Sequence, residues 1–146
     1  MKLLLALAAA FTIGVLVTAA AGVPMSVHYI PHDKVSAEMV KGGQIISDNG
    51  LIVLANRAMA RGAEMHGKTN HVFIIVDGEG TFVTGGKLMN PKEIGPGQTR
   101  GDGIEGGETH HLSKGDVITV PANTPHWWKD TSATGSVGYY AVNIEQ

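Results

Sequence analysis

The sequence predicts an all-β fold with one short helix outside the strands, and three observations point there. Twenty of the 146 residues are glycine and six are proline, so turns recur along the chain. The apolar residues fall into short runs bounded by turn dipeptides such as Asn49-Gly50, Asp77-Gly78 and Gly85-Gly86. A single stretch, KVSAEMVK at 34–41, reads as helical. The length suits one domain. A net charge of −2, a pI near 6.4 and the lack of a basic stripe argue against a nucleic-acid partner. The chain has no cysteine, which excludes thiolate ligands, disulfides and lipoprotein acylation.

In chain order, residues 1–21 read as a secretory signal peptide. Lys2 precedes the run Leu3–Val17, apolar apart from Thr12, and Ala19-Ala20-Ala21 offers a cleavage site before Gly22. This predicts a periplasmic or secreted protein beginning near Gly22 and free of the membrane after cleavage. The alternative is an uncleaved anchor, since the run could just span a bilayer. Residues 22–49 form the next section: an extended leader over 22–33, the helix 34–41 capped by Asp33 and closed by Gly42-Gly43, and a first strand at Gln44–Ser47. Asp48-Asn49-Gly50 turns this strand into Leu51–Asn56.

From residue 50 to 146 strands predominate. AEMHGKTNHVFIIVDGEG (63–80) reads as strand, turn, strand, with Gly67-Lys68-Thr69-Asn70 as a hairpin loop that sets His71 nearly opposite His66. His71–Val76 and Thr81–Thr84 flank a glycine turn. Residues 87–107 are rich in Gly and Pro and poor in periodicity, which suits either a functional loop or an edge excursion with one or two short strands. Glu108–Leu112 and Val117–Val120 are expected to pair around Ser113-Lys114-Gly115-Asp116, and Val137–Ile144 closes the fold. There is neither an internal repeat nor an appended helical DNA-binding module.

The chemistry concentrates on Glu64, His66, His71 and His126. Residues 64 and 66 share one face of a strand. His71 shares its face with Phe73 and Ile75, and Trp128 shares that of His126, giving an apolar wall beside the imidazoles. Three imidazoles and a carboxylate converging in β-structure suit one divalent transition metal. A hard Glu64 oxygen would favour iron or manganese; zinc, nickel and copper stay open. Glu64 could instead hydrogen-bond a ligating imidazole or act as a general base beside the metal. His110, expected opposite Thr119 and facing inward with Leu112, is a candidate base or hydrogen-bond donor, or else a structural histidine. Arg100 could steer an anion but reads as a surface arginine. His28 and His32 lack a spacing partner and read as exposed.

These two segments resemble the cupin family. Its first motif, His-x-His, three or four residues, Glu, six residues, Gly, aligns with Glu64, His66, His71 and Gly78. Its second, Gly, five residues, Pro-x-Gly, two residues, His, three residues, Asn, aligns with Gly115, Pro121, Asn123, His126 and Asp130. Glu and His stand exchanged relative to the common first motif. Some small cupins carry His at the Glu position in an all-histidine site. The resemblance implies a double-stranded β-helix, or jelly-roll barrel, over 50–146 with a metal at its centre. It also implies a metal-dependent enzyme of the dioxygenase, lyase or decarboxylase class acting on a small organic substrate. A non-catalytic periplasmic protein holding a metal or small ligand is the alternative, and an acid–base isomerase a weaker third. A homodimer is left open.

Overall fold

The computed structural model describes residues 22–131 and 135–146; the expected leader peptide at 1–21 lies outside the described residues. The described chain begins with an extended segment and one helix, α1 (His32–Lys41), followed by β1 (Gly43–Asp48), β2 (Leu51–Ala58), β3 (Ala63–His66), β4 (Thr69–Asp77) and β5 (Glu79–Thr84). Then come β6 (Lys87–Met89), β7 (Lys92–Gly95), β8 (Gln98–Gly101), β9 (Gly103–Glu105), β10 (Glu108–Ser113), β11 (Val117–Val120), β12 (His126–Thr131) and β13 (Val137–Glu145). The fold is all-β with one short peripheral helix, none of whose residues is buried. No described helix is long and apolar enough to cross a membrane.

The helix starts earlier than the sequence suggested. Pro31 is its N-cap residue, with φ of −67°, and its carbonyl accepts bonds from Lys34 and Val35. Asp33 therefore lies in the first turn, where its charge suits the helix dipole, rather than capping it. The first hairpin forms as expected. Asn49 and Gly50 both have positive φ, 45° and 82°, which matches the right-handed twist of the flanking strands.

Two sheets carry the fold: β1-β2-β13-β4-β11 and β10-β5-β12-β3-β8-β7, with β6-β9 as a separate ribbon. They pack around one cluster. β4, β11 and β13 send in Phe73, Ile75, Val120, Val137 and Tyr139; β5, β10 and β12 send in Phe82, Leu112 and Trp128. In β4 the inward positions are 69, 71, 73 and 75, all buried, as the alternation of the sequence requires.

Two expected hairpins do not form. His66 and His71 are not on paired strands, because β3 lies in the six-stranded sheet and β4 in the five-stranded one. The linking residues bond elsewhere: Gly67 N–H to Gly97 O, Asn123 N–H to His66 O, and Gln146 N–H to Lys68 O. The chain therefore crosses between layers there, and the two histidines face each other across the interior. Likewise β10 pairs with β5 and β11 with β4. The Ser113–Asp116 turn is stitched to β4, with Gly115 N–H donating to Ile75 O and Ile75 N–H to Asp116 O, both at 2.9 Å. His110 consequently faces Phe82 and not Thr119. Residues 87–107 carry four short strands, more than the edge excursion anticipated.

Candidate metal centre

His66 ends β3, His71 lies within β4 and His126 opens β12. The ring centroids are 4.9 Å apart for His66–His71, 5.3 Å for His66–His126 and 5.1 Å for His71–His126. One nitrogen from each ring lies within 4.8 Å of the other two. His71 is 6% exposed and His126 3%, both unusual for a titratable side chain.

Each Nδ1 is tied outward to an oxygen: His66 to Gln98 Oε1, His71 to Asn143 Oδ1 at 2.8 Å, and His126 to the Thr124 carbonyl at 3.0 Å. These partners accept, so each Nδ1 carries a proton, which leaves the Nε2 of His71 and of His126 with a lone pair, while the Nε2 of His66 faces the Glu64 carboxylate. The Nε2 atoms of His71 and His126 are buried without a hydrogen-bond partner. Buried polar atoms are nearly always satisfied, so converging bare lone pairs are what a cation would complete. The residues present fit a divalent transition metal.

Glu64 stands at the edge of this triad, on the strand position facing His126. Its Oε1 is 3.7 Å from His126 Nε2 and 3.9 Å from His66 Nε2; its Oε2 is 3.5 Å from Arg100. Burial pushes its carboxyl up, but the adjoining His66 ring, the charge that His126 and His66 carry at the low pH where this acid titrates, and Arg100 prevail and hold it at about 2. Burial lowers His126 to about 4 and also lowers His71, so both are neutral at pH 7. On His66 burial is opposed by the neighbouring Glu64 carboxylate and by the hydrogen bond to Gln98, and the net shift is upward. His66 is thus the basic member, and its pairing with Glu64 is the main charge interaction here.

The triad opens on a cavity of about 330 Å³ lined by Glu64, His66, His71, Phe73, Gln98, Arg100, Tyr139 and Asn143, among others. A pocket of about 20 Å³ reaches His126 past Trp127 and Trp128. The apolar wall is narrower than the sequence suggested. Phe73 and Trp128 line these spaces, but Ile75 belongs to the core beneath.

The structure brings Glu64, His66, His71 and His126 together and leaves His110 apart. His110 bonds the Thr84 hydroxyl at 3.0 Å and lines neither space. His28, exposed as expected, bonds Asp48 at 2.8 Å. Sequence reasoning missed Gln98 and Asn143, whose amides orient two imidazoles, and Arg61 and Tyr139 on the cavity wall. It also left Arg100 on the surface without its Glu64 contact. Facing positions across a strand pair, such as Asn143 opposite His71, are the signal that could have found the amides, and they need the pairing first.

Residues 49–146 match the cupin family, and the chain belongs to it. No curated protein matches. Among solved structures, BH2720 from Bacillus halodurans is similar with a TM-score of 0.58 and 13% identity over 81% of each chain. Hydroxypropylphosphonic acid epoxidase from S. wedmorenis is similar with a TM-score of 0.52 and 18% identity over 70% of this chain and 49% of its own. A structure of Fe(II)-HppE with the alternative substrate (S)-1-HPP gives 0.52 and 18% over 70% of this chain and 48% of that one. The chain thus spans about half the length of these last two chains. At such identities the likeness is one of fold.

Proposed function

We propose that this protein is a metal-dependent cupin enzyme that holds one divalent transition metal on His66, His71 and His126 and acts on a small organic molecule in the adjoining cavity. The observation that carries this reading is the pair of buried, unpartnered Nε2 atoms on His71 and His126, each on a ring whose other nitrogen is held by an oxygen. When bound, the metal would supply Lewis-acid or redox chemistry. Gln98, Asn143 and the Thr124 carbonyl keep the imidazoles oriented, and on His71 and His126 they leave the inner nitrogen free of a proton. Glu64, ionised, either adds a carboxylate to the ion or accepts a proton beside it. A carboxylate there favours iron or manganese, and the Fe(II) named for the HppE neighbour supports iron. The reaction classes that suit such a site are dioxygenase, lyase and decarboxylase. Export is part of the proposal, with the mature chain starting near Gly22.

Metal analysis of protein matured in its own compartment is the test, with N-terminal sequencing of the same sample. His66→Ala, His71→Ala and His126→Ala should each lose most of the bound metal, while His28→Ala should keep it. Full occupancy in His71→Ala would sink the assignment. Glu64→Gln separates two roles: a ligand loses metal affinity, whereas a base keeps the metal and loses roughly 10²–10⁴-fold in turnover. Turnover is followed on small diketones, phenolics and 2-keto acids with oxygen uptake. Bound metal with no turnover of any class would leave a non-catalytic binding protein.

A further inference from the structure

The cavity beside the triad carries two guanidinium groups, and they are not equivalent. Arg100 faces Glu64 at 3.5 Å. Arg61 has no carboxylate partner among the described residues, yet it lines both the 330 Å³ cavity shared with His66 and His71 and the small pocket that reaches His126. Its backbone is fixed: its carbonyl accepts the Trp127 indole N–H, and its N–H approaches Trp128 O at 3.5 Å. The other acids offer it little. Glu64 is engaged with His66, His126 and Arg100, and Glu145 accepts from the Thr69 hydroxyl at 3.1 Å.

Tyr139 stands beside Arg61. The phenol is 6% exposed, and its hydroxyl interacts with the side chains of Arg61 and Asn56. Burial pushes it up to about 12, so it remains a hydrogen-bond donor across the physiological range. Three donors of different kinds, a guanidinium, a phenol and an amide, therefore meet on one wall of a cavity whose other wall bears the imidazoles.

We propose that Arg61, with Tyr139 and Asn56, binds the carboxylate of a small organic acid and so defines the substrate class of this site. A planar guanidinium suits a planar carboxylate, and a neutral phenol adds a donor without adding charge. The cavity's small volume suits a compact molecule, whose remaining atoms would lie toward His66 and His71. As a statement about substrate this rests on the proposed metal site; the wall of Arg61, Tyr139 and Asn56 itself uses no residue of the triad.

The test titrates the whole protein, metal-free and metal-loaded, with propionate, propionamide and ethylphosphonate. Binding is read from the Trp127 indole N–H resonance, and metal content is measured separately in every sample. Saturable binding of propionate is expected, with propionamide about tenfold weaker or more. Arg61→Gln should weaken propionate by a similar factor at unchanged metal content. Tyr139→Phe should weaken it less, and Arg61→Lys should retain part of the affinity. Arg57→Gln, which removes the Asp77 pair outside this cavity, should leave it unchanged. Equal affinity in Arg61→Gln, equal binding of propionamide, or no saturable binding of propionate would overturn the proposal. Tighter binding of ethylphosphonate than propionate would overturn the carboxylate class. A protein that takes up no metal but binds propionate through Arg61 would defeat the proposed function and leave this anion site standing.

Discussion

The five-stranded sheet contributes one imidazole to the triad and the six-stranded sheet contributes two, and the sheets hold them differently. His71 lies inside β4, flanked by β13 and β11, and its ring bonds the side chain of Asn143, the residue directly opposite on β13. The long ladders of that sheet fix both ends of this bond. His66 and His126 sit at strand ends, and β3 is only four residues long. His126 takes its support from Thr124, two residues back in the turn, and His66 from Gln98 on the short β8. His71 is therefore positioned within long ladders, His66 by a short ladder to the excursion strand β8, where Gln98 lies directly opposite it, and His126 by a turn. Damage to the ladder should act through the fold, and damage to the excursion through the site.

The largest expected effect tests whether the sheets fold as one body. Phe82 is fully buried, with its ring 5.6 Å from Phe73 of the facing sheet and 4.7 Å from Trp128 of its own. Phe82→Ala should cost about 3–5 kcal/mol in chemical denaturation, with fluorescence and circular dichroism falling together. Separate transitions for the two probes would mean that the sheets unfold independently. Next comes the contrast between the supporting amides. Asn143→Ala should weaken metal binding about 10–100-fold. Gln98→Ala should weaken it less, because His66 is only half-buried and water can take the place of the lost amide. Competitive chelator titrations measure both, and equal losses would erase the distinction between the sheets.

A third measurement follows metal affinity against pH. Ligation needs neutral imidazoles, so protons compete with the ion and affinity falls as pH drops. His71 and His126 are both lowered by burial, His126 to about 4, so they compete with protons less than an ordinary imidazole does. His66 is raised from 6.5, so it protonates first and the fall should begin above that pH. Glu64→Gln removes the carboxylate that raises His66, and the onset should then move to lower pH. An unchanged onset would show that His66 does not set it. The smallest effect concerns the Arg57–Asp77 pair at the surface, where Arg57→Gln should leave the denaturation midpoint almost unchanged.

Much of this was legible in the sequence because a strand's period of two fixes which residues share a face. His71, Phe73 and Ile75 pointed inward as expected, as did Trp128, and Asn49-Gly50 made its turn. Periodicity does not say which strand lies alongside. Thus Leu112 was correctly placed in the core while its strand was given the wrong partner, and His110 was drawn toward the site with it. The turn at 113–116 looks like a hairpin loop in composition; only its bonds to Ile75, far away in sequence, show it to be a crossing between layers. Gln98, Arg100 and Arg61 sit where the chain has little periodicity, and a single amide or guanidinium has no spacing signature to betray it.

The split of the triad between layers has a thermodynamic consequence. An ion held by His71 from one sheet and by His66 and His126 from the other would join the two layers, and would tie His126 to two residues far from it in sequence. In a chain without cysteine it would be the nearest counterpart of a disulfide, but reversible and set by concentration. An ion that binds only the folded state adds about 2.7 kcal/mol of stability at a hundred times its dissociation constant. The melting temperature of this protein would then report the free metal around it, rising with supply and falling when a chelator competes.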